Sequence, residues 1–270
     1  MAKERVDLLL VQRGLCESRE QAARSIMAGL VYTEEKRIDK PGTRVGTEVP
    51  LELRRQLHPY VSRGGLKLEK ALKVFNRNVN GAIGLDIGAS TGGFTDCLLQ
   101  HGAQLVYAVE IGYAQLAWKL RQDKRVIAME RCNFLQLSAQ QLTFGLPNVV
   151  VLDLSFVSVC KMFEHVKSLL APQGFSIVLI KPQFEAGRSE IGKRGVVKCP
   201  EVHKTVLEKV LNIARVAKLA CSAIDYSPIR GGRRGNIEFI ALFFHAEESN
   251  FWPVLDIEQT VCEAHRYFSK

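Results

Sequence analysis

The stretch GLDIGASTGGF, residues 84–94, constrains the fold of this chain more than any other. Ile83, Leu85 and Ile87 flank Asp86 in an apolar run, and Gly88, Ala89, Ser90, Thr91, Gly92 and Gly93 then break it. A helical pattern begins at Phe94 and continues to Leu99. Strand, glycine-rich turn and helix in that order predict the first unit of a doubly wound α/β domain, in which a small ligand sits at the carboxyl end of the strand. Glycines let backbone pass close to a ligand, and the helix start adds free N–H donors. Residues 86 and 88–94 are therefore the candidate ligand cradle.

Glu110 ends the next apolar run, 105–109, about one βαβ step after the turn. A carboxylate there suits a ribose diol, because it accepts from both hydroxyls. The turn is not GxGxxG, has no GxxxxGK[ST] pattern and holds no basic residue. Asp86 would repel a pyrophosphate and suit a cationic ligand. This combination favours S-adenosylmethionine over NAD or ATP. Asn133, after the apolar run 126–129, is the candidate contact to the adenine.

The chain has 270 residues, 47% of them apolar, enough for one large domain and a small one. Its seven cysteines are scattered, without a CxxC pair, which argues against a disulfide framework or zinc site. No apolar run approaches the roughly 18 residues of a membrane helix. The start MAKERVDLLLVQRG is too charged for a signal peptide. A cytoplasmic protein without a membrane partner is expected. The net charge of +9 is uneven. Residues 61–80 carry five basic and one acidic side chains, residues 181–198 five and two, and residues 230–234 three arginines. Arg63, Lys67, Arg188, Lys193, Arg194, Arg230, Arg233 and Arg234 are the candidate track for a phosphate backbone.

Residues 1–58 read as a separate unit. A short amphipathic helix spans 5–13, Ser18 and Gln21 form a capping box for a second helix ending at Gly29, and strands follow near Leu30 and over 45–53. The pattern RVDLLLVQRGLCESREQAARSIMAGLVY…DKPGTRV resembles the small α+β RNA-binding module first known from a ribosomal small-subunit protein. The resemblance directs Arg5, Arg19 and Arg24 toward RNA. It departs at Thr33-Glu34-Glu35-Lys36, where that module has an Asn-Gly turn.

The rest, a linker with a first helix over 59–80 and a Rossmann-like domain over 81–270, resembles the FtsJ-type ribose 2′-O-methyltransferases. The two-part chain is similar to the TlyA family, also labelled hemolysin A. The motifs are VSRGGLKL (61–68), LDIGASTGGF (85–94), VVVLDLSF (149–156), LIKPQFEAG (179–187) and GNIEFIALF (235–243). The resemblance implies an S-adenosylmethionine-dependent enzyme acting on a cytidine ribose in ribosomal RNA, free or in ribosomal subunits. It also implies a Lys-Asp-Lys-Glu tetrad, matched here by Lys67, Asp153, Lys181 and Glu238, with Asp153 also beside the cofactor. A ribose hydroxyl is a poor nucleophile until it loses its proton, and a buried lysine beside other cations can become neutral and take it. Lys181 is the candidate base and Lys67 its neighbouring cation. The sulfonium donor calls for no metal.

Two rival functions are an RNA-binding assembly factor without turnover and a membrane-active haemolysin. His203, Lys161 and His165 read as solvated helix-surface residues. Residues 183–197 and 231–235 read as flexible loops that could close over RNA.

Overall fold

The structure, a computed structural model, describes residues 2–27, 29–34, 36–53, 58–231, 235–246 and 254–269. Two compact units divide the chain, Met1–Pro59 and Tyr60–Lys270.

The first unit contains β1 (Lys3–Arg5), α1 (Val6–Gln12), α2 (Arg19–Met27), β2 (Val31–Thr33), β3 (Lys36–Arg37), β4 (Arg44–Gly46) and β5 (Glu52–Leu53). Val6, Leu10, Ala22, Ile26 and Val31 form its core. The first helix begins later than the sequence pattern predicts, because Lys3–Arg5 pairs antiparallel with Arg44–Gly46. The strand expected over 45–53 is two short strands, since Val49 N–H closes a turn on the Gly46 carbonyl and Pro50 has no N–H for a ladder. Ser18 Oγ accepts from Gln21 N–H, as a cap does, while the Gln21 side chain reaches back to the Glu17 N–H, one residue earlier than a capping box requires.

The second unit comprises α3 (Gly64–Val74), β6 (Ile83–Ile87), α4 (Gly93–Gln100), β7 (Leu105–Glu110), α5 (Trp118–Arg121), β8 (Val126–Glu130), β9 (Val149–Leu152), α6 (Phe163–Leu169), β10 (Phe175–Ile180), α7 (Pro182–Glu185), α8 (Pro200–Val216), β11 (Leu219–Tyr226), β12 (Phe239–His245) and α9 (Ile257–Phe268). Its seven strands run in the order β11-β12-β10-β9-β6-β7-β8. The five from β8 to β10 are parallel, and β12 is antiparallel to both its neighbours.

Strand periodicity divides the core into two layers, because successive side chains face opposite sides of a sheet. Leu85, Tyr107, Val150, Val178 and Phe239 join Val166, Val206 and Val261 on one face. Val106, Val151, Ile177 and Ile240 join Leu68, Leu72 and Leu98 on the other. Both faces are covered, so the strands read as continuous apolar runs. The chain reverses its winding direction between β6 and β9, and the crevice at their carboxyl ends is where such sheets bind ligands.

Candidate active site

Four elements deliver the site. In the turn after β6, Gly88 has φ +82, and a Cβ there would meet the Asp153 carbonyl at 3.2 Å. The turn therefore lies against the end of β9 only because residue 88 is glycine. Gly93 lets α3 approach: a Cβ on it would strike Ser62 Oγ and come within 3.0 Å of the Gly65 nitrogen. Val61 N–H donates to the Asp96 carboxylate at 2.7 Å and fixes the start of α3 against α4. Lys67, one turn into α3, then reaches the strand ends.

There the four candidate residues meet. Lys67 Nζ lies 2.6 Å from Glu238 Oε2 and 3.4 Å from Asp153 Oδ2. Lys181 Nζ lies 2.5 Å from Asp153 Oδ1 and donates to Ser155 Oγ at 3.0 Å. Lys67, Lys181 and Glu238 are buried and Asp153 is half-buried. Antiparallel pairing of Ile180 with Phe239 brings Glu238, just before β12, beside Lys181, just after β10. Burial pushes the Lys67 ammonium down, but Asp153 and Glu238 outweigh it and hold its pKa above the ordinary lysine value. Burial likewise pushes Asp153 up, and the two lysines more than reverse this, so its carboxyl stays below the usual range.

Asp153 lies between two cavities. One, of about 280 Å³, is lined by Ser62, Arg63, Lys67, Asp86, Lys181 and Arg230 among others. The other, of about 680 Å³, contains Glu110, Asn133, Phe134, Leu135, Phe156 and Met162. Glu110 ends β7 and accepts from Ser90 N–H at 2.9 Å and Gly112 N–H at 2.8 Å. Asn133 Oδ1 accepts from Leu135 N–H and caps a short 3-10 turn. Much of the glycine turn's donor capacity serves the protein itself. Gly88 and Ala89 N–H both donate to the Val109 carbonyl, and Gly92 N–H to Ala89. Asp86 accepts through Oδ2 from the Thr95 N–H and hydroxyl, while its Oδ1 is buried without a hydrogen-bond partner. Burial, with Asp153 and Glu110 nearby, pushes the Asp86 carboxyl up to about 7 against the Thr95 bonds.

The model of FtsJ-like methyltransferases matches residues 60–244, the unit that carries this whole constellation. The chain belongs to the FtsJ-like methyltransferase family.

Ahead of the FtsJ-like unit, residues 4–49 match the S4 domain, which binds RNA. The chain is 48% identical to YqxC of Bacillus subtilis, provisionally named an rRNA methyltransferase, over 98% of this chain and 95% of that one. It is 39% identical to TlyA of Mycobacterium tuberculosis, named a 16S/23S rRNA (cytidine-2′-O)-methyltransferase, over 88% of each. A solved structure from Streptococcus thermophilus, provisionally named a hemolysin, is 46% identical, with a TM-score of 0.77 covering 100% of this chain and 98% of that one.

FtsJ-like methyltransferases use S-adenosylmethionine. The residues here fit that cofactor: an unpartnered, buried carboxylate oxygen on Asp86 suits a cation, and the cavity beside Glu110 offers an acidic end and an apolar slot formed by Phe134, Leu135 and Met162.

The predicted RNA contacts divide. Arg63, on the smaller cavity, is exposed. Arg230 lines that cavity and also a wider one of about 890 Å³ with Lys193 and Arg194, so the three basic segments do meet around Arg230. Arg188 and Arg24 are exposed. Arg5 and Arg19 are both paired with the buried Asp7, at 2.8 and 2.9 Å, so their charge is partly spent inside the first unit. Arg233 and Arg234 lie outside the described residues.

Other expectations change. His203 is fully buried rather than on a helix surface, with Nδ1 2.9 Å from His265 Nε2. His165 is half-buried, bonded to the Leu137 carbonyl and edge-on to Phe134. The end of the 183–197 segment is tied down, because Asn236 accepts from Val197 N–H and donates to the Gly195 carbonyl, while residues 187–190 and 192–194 are exposed. Pro182 opens α7 rather than only ending a strand. Sequence reasoning overlooked Ser155 and Phe156. Phe156 has φ +66, is 92% exposed, and lies 5.3 Å from the Phe184 ring. Both stand in the quoted VVVLDLSF motif, two and three residues after Asp153, which was the available signal.

Proposed function

We propose that this protein methylates the 2′-hydroxyl of a cytidine ribose in ribosomal RNA, in the cytoplasm, with free rRNA or a ribosomal subunit as substrate. The observation that carries this reading is the continuous chain Glu238–Lys67–Asp153–Lys181, whose member Asp153 lines both cavities. A cofactor reaching from the larger cavity along the glycine turn to Asp86, and a ribose entering beside Lys67 and Lys181, would meet at Asp153.

S-adenosylmethionine, when bound, supplies a methyl group already activated by its sulfonium charge. Glu110 would hold its ribose, and Asp86 would face its positive end. Lys67 cannot take a proton, because two carboxylates keep it charged. Lys181 faces one carboxylate and one hydroxyl, and as the neutral amine, after giving up a proton to solvent, its Nζ is the group that would accept the 2′ proton. The fixed charge of Lys67 then stabilises the negative charge developing on the ribose oxygen. Asp153 aligns both lysines, and Glu238 anchors Lys67. Buried, mutually oriented groups supply much of the rate by positioning alone.

The assembly-factor reading leaves these buried charges without use, and burying charge is costly. The haemolysin reading finds no support in the helices: among the described residues none is long and apolar enough to cross a membrane.

Mass spectrometry of rRNA nucleosides from cells with and without the gene tests the proposal. A 2′-O-methylcytidine should disappear on deletion and return with the wild-type gene but not with Lys181→Ala. An unchanged nucleoside profile would overturn it.

A further inference from the structure

The loop after β9 has no regular structure, yet it carries Asp153, Ser155 and Phe156. Phe156 stands in the left-handed region, which an aromatic residue occupies only when its surroundings hold it there. One side chain outside the tetrad does most to hold this loop. Glu185, at the end of α7, is 4% exposed. Its Oε2 accepts from the Ser158 hydroxyl at 2.5 Å, its Oε1 from Val159 N–H at 2.7 Å, and the Cys160 thiol approaches Oε2 at 3.6 Å. The Glu185 carbonyl accepts from Lys209 Nζ at 2.7 Å, which fixes the residue to α8.

Three donors converge on one carboxylate, a group with only acceptors to offer. Ser158 is two residues from Phe156, and Glu185 is one residue from Phe184 and four from Lys181. The carboxylate thus joins the Asp153–Ser155–Phe156 segment to the Lys181–Phe184 segment. The contacts between these segments at the site, Lys181 with Asp153 and Ser155 and Phe156 with Phe184, depend on the register that this join sets. Burying a carboxylate is a costly way to gain stability alone.

We propose that Glu185 is a positioning residue, which acts through Ser158 and Val159 to fix Phe156 and Ser155 relative to Lys181. The proposal rests on the reading of this site as an RNA methyltransferase centre. Glu110 and the glycine turn lie on other strands, so most of the cofactor's contacts do not depend on the join, although Phe156 lines the same cavity as Glu110.

The test uses the full chain, S-adenosylmethionine and unmethylated bacterial ribosomal subunits. Glu185→Ala should weaken S-adenosylmethionine binding by less than about 10-fold, since Phe156 lines the cofactor cavity, and lose about 10²-fold in single-turnover methyl transfer at saturating cofactor, the scale of a small misplacement at a reacting centre. In a Phe156→Ala background the same change should cost less than about 3-fold, because residues acting through each other are not additive. Glu185→Gln keeps an acceptor for Val159 N–H and should recover most of the rate. Full multiplication of the two single losses, an undiminished rate in Glu185→Ala, or Glu185→Gln as inactive as Glu185→Ala would each overturn the proposal. Should Glu185→Ala fail to fold, Ser158→Ala, which removes one of the bonds, goes through the same cycle and is judged the same way. Amide exchange separates this proposal from the reading beneath it. If the wild type transfers no methyl group to rRNA, the rRNA reading fails, while the join stands or falls on whether residues 154–159 lose protection in Glu185→Ala.

Discussion

Lys67 and Lys181 grip opposite oxygens of one carboxylate: Lys67 lies 3.4 Å from Asp153 Oδ2 and Lys181 lies 2.5 Å from Oδ1. The two lysines are not equivalent, because Lys67 has a second carboxylate, Glu238, at 2.6 Å. In the proposed mechanism that asymmetry gives the fixed charge to Lys67 and proton transfer to Lys181.

Lys181→Ala should therefore bind cofactor and RNA almost normally and lose roughly 10²–10⁴-fold in single-turnover rate. Lys181→Arg should be nearly as inactive, since a guanidinium keeps its proton. The rising limb of the wild-type pH–rate profile should flatten in the alanine variant. An active Lys181→Arg enzyme would transfer the base role to another group.

Cofactor binding should release a proton from Asp86. With its carboxyl pushed up to about 7, Asp86 is largely protonated at pH 6 and largely ionised at pH 8. A cationic ligand favours the ionised form, so affinity should rise with pH across this interval, by at most about 10-fold per pH unit. Calorimetry in buffers of different ionisation heat measures the proton directly. Asp86→Asn should abolish both the proton release and the slope, and binding without proton exchange in the wild type would remove Asp86 from the interaction.

Acid should weaken the fold through His203. Burial first, and His265 second, push its pKa down to about 4. The unfolded chain takes up this proton near 6.5, so between those values the unfolded state binds more protons than the folded one. The neutral histidine's full contribution is present above about pH 6.5 and is lost as pH falls toward 4, to the extent of about 1–3 kcal/mol. Urea midpoints for wild type and His203→Gln, followed from pH 7 to pH 4.5, should show a shallower decline in the variant. Parallel declines would show that His203 is not the group responsible.

In the S4 domain, Arg24 should matter more to RNA than Arg5. The Arg5 guanidinium, hydrogen-bonded to Asp7 along with Arg19, holds that carboxyl down at about 2, so the three groups form a fixed internal cluster. Arg24 is exposed. For the full chain on rRNA, Arg24→Ala should reduce the slope of log K against log salt by about one, and Arg5→Ala by less. An equal change in both variants would show that Asp7 does not withhold Arg5 from RNA.

Much of this site could be read along the chain, for a physical reason. Asp153 and Lys181 each follow an apolar run that can only be a buried strand, so their charges had to emerge at a strand end. Lys67 and Glu238 were joined to the tetrad only by family resemblance, because nothing local to α3 or β12 announces the pairing across 171 residues. Ser155, Phe156 and Glu185 acquire their roles from two loops meeting in space, which periodicity does not report. His203 was misread for the same reason: its partner His265 is 62 residues away, and a helix sequence does not show which face a later helix will cover.

The antiparallel course of β12 uncouples the position of Glu238 from the length of the chain before it. Because β12 runs against β10, Glu238 enters the site from the start of a strand, and the hairpin before it is closed off by the Gly231–Asn236 bridge. Residues inserted between 231 and 236 would lengthen the tip without shifting Glu238, whereas one residue inserted within β12 would turn its side chains to the opposite face. Chain length can therefore vary between Gly231 and Asn236 while Glu238 keeps its place beside Lys181.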